Sequence, residues 1–124
     1  MARGSGRLDR KVEYGVLSSF YSSLLTDNQR VMVRLYCDED LSLGEIARQM
    51  AMSRQAVSET MNRAFMKLDQ FEDALGLSRR FQQVTDVLKE CGSMLGRVQA
   101  TKETEKHLHQ AQHMIQSILE EEEK

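Results

Sequence analysis

The sequence predicts an all-α protein, and three observations support that prediction. The chain of 124 residues contains no proline, so no segment is interrupted by a residue that breaks helices. Aromatic residues make up only 6% of the chain, and few residues favour strands. Apolar residues recur instead at spacings of three and four, which is the period of an amphipathic helix. This length fits one domain, or one small domain with a helical extension.

The first eleven residues predict a flexible basic N-terminus. Within MARGSGRLDRK, four basic side chains accompany a single acidic one, which gives this segment a charge of +3. The residues are small, basic and rich in glycine, so a solvated, frayed terminus is the favoured interpretation. The alternative is a basic arm that reaches a phosphate backbone.

Two amphipathic helices are predicted to follow. The first, over residues 12–25, carries apolar side chains at helical spacing: Tyr14, Val16, Leu17, Phe20, Tyr21, Leu24 and Leu25. The second begins after Thr26, which forms a capping-box pattern with Gln29, and it ends near Cys37. The acidic residues 38–40 come next. They lack the spacing of a calcium loop, so a solvated turn is favoured over a metal site.

A helix-turn-helix is predicted at residues 42–68. Ser42 and Glu45 form a second capping-box pattern, and Ser53 is the N-cap of another helix a few residues later. Because the connection is so short, the two helices must cross steeply, which is the geometry of this motif. Ala51 stands in the turn, where glycine is common and where alanine resists a positive φ. An ordinary helical hairpin is the alternative.

The second helix of the motif is expected to expose the residues that bind nucleic acid. Arg54 and Gln55 would enter a groove, and Ser58 and Asn62 would follow one and two turns further on. Phosphates would be held by Arg48, Arg63 and Lys67. Glu59 lies on the same face, so the charge of the motif is modest, and a strong binder would need two copies.

The helix after Ser53 is predicted to end at Gly76, and two further amphipathic helices follow it. One spans residues 81–98 and contains two glycines, each of which weakens a helix by about 1 kcal/mol relative to alanine. A weak point is favoured there over a close helix contact. The other helix begins near Thr101. Residues 120–124 form an acidic, solubilising tail.

These elements predict a helix-turn-helix domain at residues 12–77 and a C-terminal helical extension at residues 78–119. The apolar stripes of the extension carry more apolar surface than a small trihelical core can cover. Because two-fold symmetric dimers are the commonest oligomers, we expect a homodimer. Its C-terminal helices would pack against the partner chain or against the partner's N-terminal domain. A monomer with these helices folded back on their own chain is the alternative.

Composition and motif content exclude several classes of function. The net charge of −2 excludes a surface that binds polyanions all over. The two cysteines are isolated, and no apolar run is long enough for a signal peptide or a membrane span, so a cytoplasmic protein is expected. His109 and His113 share a helix face, but His-Glu-x-x-His is absent, so neither a metal nor a cofactor is expected. No enzyme motif is recognisable, and no catalytic residue is predicted.

The segment LLTDNQRVMVRLYCDEDLSLGEIARQMAMSRQAVSETMNRAFMKL places a helix that begins with Leu-Thr before the helix-turn-helix. This layout resembles the fourth region of bacterial sigma factors. It is more similar to the YlxM family of small bacterial helix-turn-helix proteins. The resemblance lies in residues 20–21, 24–27, 29–30, 35–36, 42–47 and 53–57. Two positions depart from the family pattern: Ser58, where members often have an aromatic residue, and Asn62, where they often have a basic one.

The resemblance implies an all-α, cytoplasmic protein without a catalytic site and with a regulatory role. It also implies an association with the signal recognition particle pathway, so the components of that particle are candidate partners besides DNA or RNA. Two functions follow from the sequence. One is a nucleic-acid-binding regulator. The other is a protein-interaction module that keeps the helix-turn-helix only as a scaffold.

Overall fold

A computed structural model describes the backbone of residues 7–122 and the side chains of residues 9–121. Within that part of the chain there are six α-helices, a short 3₁₀-helix at Ser22–Leu24, and no strand. The helices are α1 (Arg7–Tyr21), α2 (Asp27–Cys37), α3 (Leu43–Gln49), α4 (Arg54–Leu75), α5 (Leu77–Gly96) and α6 (Glu105–Glu122). The predicted all-α fold class is confirmed. None of the described helices is long and apolar enough to cross a membrane.

The chain divides into two compact units, Met1–Ser78 and Arg79–Lys124. The first unit contains α1 to α4 and the first two residues of α5. In its core α1, α2 and α4 pack against one another, and α3 packs on α2 and α4. The largest fully buried side chains are Tyr21, Met32, Val33, Leu35, Ile46, Val57 and Leu68. Burying each of these contributes roughly 1.5–3 kcal/mol, so this core holds the helix-turn-helix in place.

Helix α1 begins earlier than the sequence predicts, at Arg7 rather than at residue 12. The predicted flexible terminus is therefore wrong for residues 7–11, and residues 1–6 lie outside the described part. Tertiary contacts hold the early turns: the Lys11 side chain is buried and forms an ion pair with Asp40. Its ammonium also lies 4.5 Å from the centre of the Tyr36 ring. A charged partner and an aromatic face across the fold give no local sequence signal, which explains the error.

The end of α1 also differs from the prediction, because the α-helix stops at Tyr21 and a 3₁₀ turn follows. The buried face of α1 consists of Tyr14, Leu17 and Tyr21. Val16 lies about 100° away from Leu17 around the helix, and it is 45% exposed rather than part of the core. Leu24 lies in the 3₁₀ turn and is 52% exposed. A 3₁₀ turn has fewer residues per turn than an α-helix, so Leu24 does not continue the buried stripe of α1.

Both predicted capping boxes are present. The hydroxyl of Thr26 accepts a hydrogen bond from the backbone N–H of Gln29 at 3.2 Å, and the Gln29 side chain accepts one from the backbone N–H of Thr26 at 3.1 Å. Ser42 and Glu45 repeat the pattern at 3.1 and 3.0 Å. Hydrogen bonds from the Ser42 backbone and hydroxyl lower the pKa of the Glu45 carboxyl. Caps of this kind typically stabilise a helix by about 1 kcal/mol, so α2 and α3 have well-defined starts.

The second unit contains the rest of α5 together with α6. Half-buried side chains on α5 recur at spacings of three and four: Phe81, Thr85, Leu88, Gly92 and Leu95. A Cβ atom on Gly92 would lie 3.7 Å from Cγ2 of Ile115 on α6, and α5 continues unbroken through this glycine. Gly92 therefore lies where the two helices contact each other, and the predicted weak point within the helix is wrong there.

The ends of these two helices are shifted from the predicted positions. Helix α5 starts directly after Gly76 and ends at Gly96, not at residue 98. Helix α6 starts at Glu105, four residues later than predicted. Residues 101–104 form a turn instead, in which the hydroxyls of Thr101 and Thr104 accept hydrogen bonds from each other's backbone N–H groups at 3.3 and 3.0 Å. The bond from the Thr104 N–H to the Thr101 hydroxyl has the pattern of an N-cap, and the Glu105 N–H donates to the Thr101 carbonyl at 2.9 Å, so this turn leads directly into α6.

Candidate nucleic-acid interface

The turn between α3 and α4 ends α3 with a left-handed residue. The backbone N–H of Met52 donates to the carbonyl of Ala47 at 2.9 Å, and that of Ala51 donates to the carbonyl of Arg48 at 3.4 Å. This pair of bonds is a Schellman motif. Ala51 has a φ of 55°, a conformation in which its Cβ costs about 1–2 kcal/mol. Alanine resists this geometry, and the two hydrogen bonds of the turn hold it there nevertheless.

Helix α4 begins where the sequence predicts. The hydroxyl of Ser53 accepts a hydrogen bond from the backbone N–H of Ala56 at 3.0 Å, so Ser53 is its N-cap. One face of the helix is buried in the core: Val57, Met61, Ala64, Phe65 and Leu68. The opposite face, which begins at Gln55, is open to solvent, and Arg54 is exposed because it lies at the end of the helix, beyond the core. Helix α4 therefore has a polar face exposed to solvent and an apolar face packed into the core.

Five of the seven predicted interface residues have exposed side chains: Arg48, Arg54, Gln55, Asn62 and Arg63. Ser58 is half-buried at the edge of the exposed face. Lys67 is also half-buried, and its ammonium donates a hydrogen bond of 3.1 Å to Oε1 of Gln29 on α2. Five of the seven predicted residues thus lie within the first ten residues of α4, Arg48 lies on α3, and Lys67 is bonded to the cap of another helix.

Glu59 lies in the middle of the exposed face of α4. Its carboxylate accepts a hydrogen bond of 3.4 Å from the side-chain amide of Gln55. The guanidinium of Arg63, one turn further on, lies 3.9 Å from the same carboxylate. Glu59 therefore occupies hydrogen-bonding capacity of two predicted interface residues and lowers the positive potential of this face.

The arginines of the first unit whose side chains the structure describes fall into two groups. Three have a carboxylate partner within 4.0 Å: Arg30, Arg34 and Arg63. For three others, no acidic oxygen of a described residue lies within that distance: Arg10, Arg48 and Arg54. A guanidinium without a carboxylate neighbour keeps its full charge and its donors for an external anion.

Arg10 falls in the segment predicted to be a frayed terminus or, as the alternative, a basic arm that reaches a phosphate backbone; its contact with aromatic rings was not predicted. The rings of Tyr14 and Phe65 stack with their centres 4.1 Å apart and their planes within 6°. The guanidinium carbon of Arg10 lies 5.7 Å from the first ring centre and 5.3 Å from the second. The spacing of four between Arg10 and Tyr14 was the available signal, but the partner ring on α4 becomes visible only in the fold.

Chemically reactive groups are not assembled elsewhere in the described part of the chain. No set of three or more His, Cys, Asp or Glu residues there could hold a metal ion. Cys37 is half-buried, and burial followed by the charge of Asp38 raises the pKa of its thiol to about 11. A thiol with that pKa is protonated at neutral pH and is therefore a poor nucleophile.

The fold and the exposed start of α4 define a helix-turn-helix protein. The protein-family model described as "Putative helix-turn-helix protein, YlxM / p13 like" matches residues 8–111. The chain belongs to this family, UPF0122, and the resemblance to YlxM proteins found in the sequence is confirmed.

Relatives in several bacteria share the family name and most of the chain. A UPF0122 protein of Desulforamulus reducens is 39% identical over 105 residues, which cover 85% of this chain and 89% of the relative. One of Halalkalibacterium halodurans is 38% identical over 96 residues, covering 77% and 87%. One of Thermoanaerobacter is 44% identical over 73 residues, covering 59% and 62%. The similarity therefore extends across the helix-turn-helix and into the second unit.

Proposed function

We propose that this protein is a nucleic-acid-binding regulator that places the start of α4 in the major groove of duplex DNA. The observation that supports the proposal best is Arg54, the first residue of α4, which is exposed and has no acidic partner within 4.0 Å among the described residues. Gln55 is exposed beside it. Arginine and glutamine are the side chains that make bidentate contacts to guanine and adenine edges.

The remaining interface residues have graded roles. Asn62, two turns after Gln55, would contact the groove or its edge, and half-buried Ser58 would support it. Arg48 at the end of α3 and Arg63 on α4 would hold phosphates. Lys67 would contribute least, because its ammonium is already bonded to Gln29.

Binding to a mixed-sequence duplex DNA and to a structured RNA, each at two salt concentrations, tests the proposal. The double variant Arg54→Ala with Arg63→Ala removes two cations from the proposed interface, so we expect weaker binding and a flatter salt dependence. The matched control is Arg34→Ala with Arg80→Ala, which removes two exposed cations from outside the proposed interface. Negligible binding at low salt, or equal effects of the two double variants, would contradict the proposal. Binding to RNA but not to DNA would replace DNA by RNA as the proposed partner, and the proposed binding surface would stay the same.

We also propose that the protein acts as a homodimer paired through α5. Besides the half-buried residues that face α6, α5 and the turn after it carry a second apolar stripe, which is exposed and also has spacings of three and four: Val84, Val87, Cys91, Met94 and Val98. This is the spacing of a coiled-coil seam. A second copy would also supply a second helix-turn-helix, which a motif of modest positive charge needs in order to bind nucleic acid strongly. Sedimentation equilibrium on the full chain tests the pairing, and a monomer at micromolar concentration would contradict it.

The second candidate function is a protein-interaction module, with components of the signal recognition particle as partners by family resemblance and the cytoplasm as the expected location. Glu59 favours this alternative, because a carboxylate at the centre of the exposed α4 face repels phosphate. A pull-down with the purified particle, with and without its RNA, separates the two functions. Capture of the protein component alone supports the module, whereas strict dependence on RNA supports the nucleic-acid reader.

A further inference from the structure

Helices α1 and α4 run in the same direction where they pack. The Tyr14 hydroxyl donates a hydrogen bond of 2.8 Å to Asp69, and the Tyr21 hydroxyl, two turns later on α1, donates one of 2.7 Å to Glu72. Contacts that advance together along both helices require a parallel arrangement. The start of α1 therefore lies nearer the N-terminal half of α4, which is the half that carries the proposed groove residues.

A single line of side chains on α4 connects the groove residues to the α1 contact. Ser58, Asn62 and Phe65 are spaced by four and then three residues, so they follow one edge of the helix, between its buried and its exposed face. Phe65 is the member of this line that the Tyr14 ring stacks on. Asn62 is exposed one turn earlier, about 5 Å along the axis.

Arg10 lies at this junction, and no carboxylate of a described residue lies within 4.0 Å of it. It is nearly equally far from the two stacked ring centres, at 5.7 and 5.3 Å, so its guanidinium lies beside the ring pair rather than above one face. The side chain is exposed, and none of the described residues accepts a hydrogen bond from it. The next residue, Lys11, is by contrast buried and ion-paired with Asp40. The guanidinium therefore lies within cation–π distance of both rings, while its N–H groups have no acceptor among the described residues.

We propose that Arg10 binds a phosphate of the same duplex that α4 enters, so that the interface extends from the helix-turn-helix onto the start of α1. The inference rests on the proposed function. A guanidinium offers two parallel N–H groups to a phosphate, which fixes direction as well as charge. Because the Tyr14–Phe65 stack is part of the core, this contact sets the angle at which α4 lies in the groove.

The salt dependence of binding by Arg10→Ala tests this inference. The matched control is Arg34→Ala, because Arg34 is an exposed arginine on α2 that is paired with Glu39, and its loss changes the net charge equally. For a duplex DNA titrated between about 50 and 200 mM salt, Arg10→Ala should lower the slope of log K against log salt by about 1. The slope for Arg34→Ala should equal that of the wild type. Arg10→Lys should recover most of the slope, because it keeps the charge.

Arg10→Gln provides a second test if the alanine variant folds poorly, since it keeps a polar stem beside the rings. Circular dichroism and thermal unfolding establish that each variant is folded. Suppose that wild-type binding depends on salt and that Arg54→Ala weakens it. If Arg10→Ala and Arg10→Gln then behave like Arg34→Ala, the role of Arg10 is overturned and the proposed function stands. If the wild type shows no salt-dependent binding to DNA or RNA, both are overturned. A slope change seen only with RNA supports the phosphate contact and replaces DNA as the partner.

Discussion

The hydroxyl of Tyr21 donates a hydrogen bond of 2.7 Å to the carboxylate of Glu72, and together the two groups cap the start of α5. The backbone N–H of Leu77 donates to the Tyr21 hydroxyl, and that of Ser78 donates to the Glu72 carboxylate, both at 3.0 Å. The first N–H groups of a helix have no partner within the helix. Here Tyr21 of α1 and Glu72 of α4 supply acceptors for the first two N–H groups of α5. These N–H groups come directly after Gly76, the left-handed residue that ends α4.

Replacing Tyr21 by phenylalanine should destabilise the protein by about 1–3 kcal/mol, because it removes a buried hydroxyl that accepts from the Leu77 N–H and donates to the Glu72 carboxylate. Thermal or denaturant unfolding measures the change. Tyr36→Phe is the control, since the Tyr36 hydroxyl makes no hydrogen bond with any described residue. Equal stability of the two variants would contradict the cap.

The same hydroxyl predicts a pH dependence. Burial, and then the hydrogen bond to Glu72, raise the pKa of Tyr21 above its usual value of 10.0. The folded state therefore holds this proton more tightly than the unfolded state does. The resulting stability is fully present below about pH 10 and is lost as the pH rises through the folded-state pKa. Between pH 8 and 11 the free energy of unfolding of the wild type should fall, and that of Tyr21→Phe should fall less.

Ala51→Gly should raise the free energy of unfolding by about 0.5–1 kcal/mol. It removes the strain of a left-handed alanine, which exceeds the extra freedom that glycine gives to the unfolded chain. Ala51 is exposed, so no packing is lost. Ala74→Gly, at an exposed position within α4, is the control and should be destabilising. A loss of stability in Ala51→Gly would mean that the turn tolerates alanine without strain.

Glu59→Gln should strengthen nucleic-acid binding several-fold at low salt. The change removes a negative charge from the centre of the proposed interface and releases Gln55 and Arg63 from it. Asp73→Asn is the control, because it removes an exposed carboxylate from the same helix about 21 Å further along the axis. A similar gain in both variants would indicate a general charge effect and not a local one.

Val87→Glu should shift the protein from dimer to monomer, because it puts a charge in the middle of the exposed α5 stripe. Val12→Glu is a matched control on α1: Val12 is 60% exposed and Val87 is 59% exposed. Sedimentation equilibrium of both full-length variants distinguishes the two positions. Retention of the dimer in Val87→Glu would exclude the stripe as the interface.

Thiol reactivity should differ between the two cysteines. With a pKa of about 11, Cys37 has roughly one thiolate in a thousand molecules at pH 8, and it is half-buried. In the variant Cys91→Ser, modification of Cys37 by a disulfide reagent should be slow and should accelerate about tenfold per pH unit up to pH 11. Fast modification at pH 8 would mean that the site opens frequently.

Local sequence patterns predicted most of the helix-turn-helix, because caps and apolar periods act within a few residues. Ser42, Ser53 and Gly76 all stand at the predicted helix ends. Two of the misplaced features, the early start of α1 and the role of Lys67, depend on distant partners. The early turns of α1 are held by the ion pair between Lys11 and Asp40, which are 29 residues apart. Lys67 is bonded to Gln29, which is 38 residues away. No periodicity in the sequence encodes such pairs.

The bond between Lys67 and Gln29 has a consequence for how the interface can be tested. Oε1 of Gln29 accepts from both the Thr26 backbone and the Lys67 ammonium, at 3.1 Å each. A phosphate that recruits Lys67 must compete with this amide oxygen, so part of the attraction is offset by loosening the first turn of α2. Removing Lys67 should accordingly lower the unfolding temperature more clearly than the affinity. A loss of binding in such a variant would report on the integrity of α2 rather than on a missing contact.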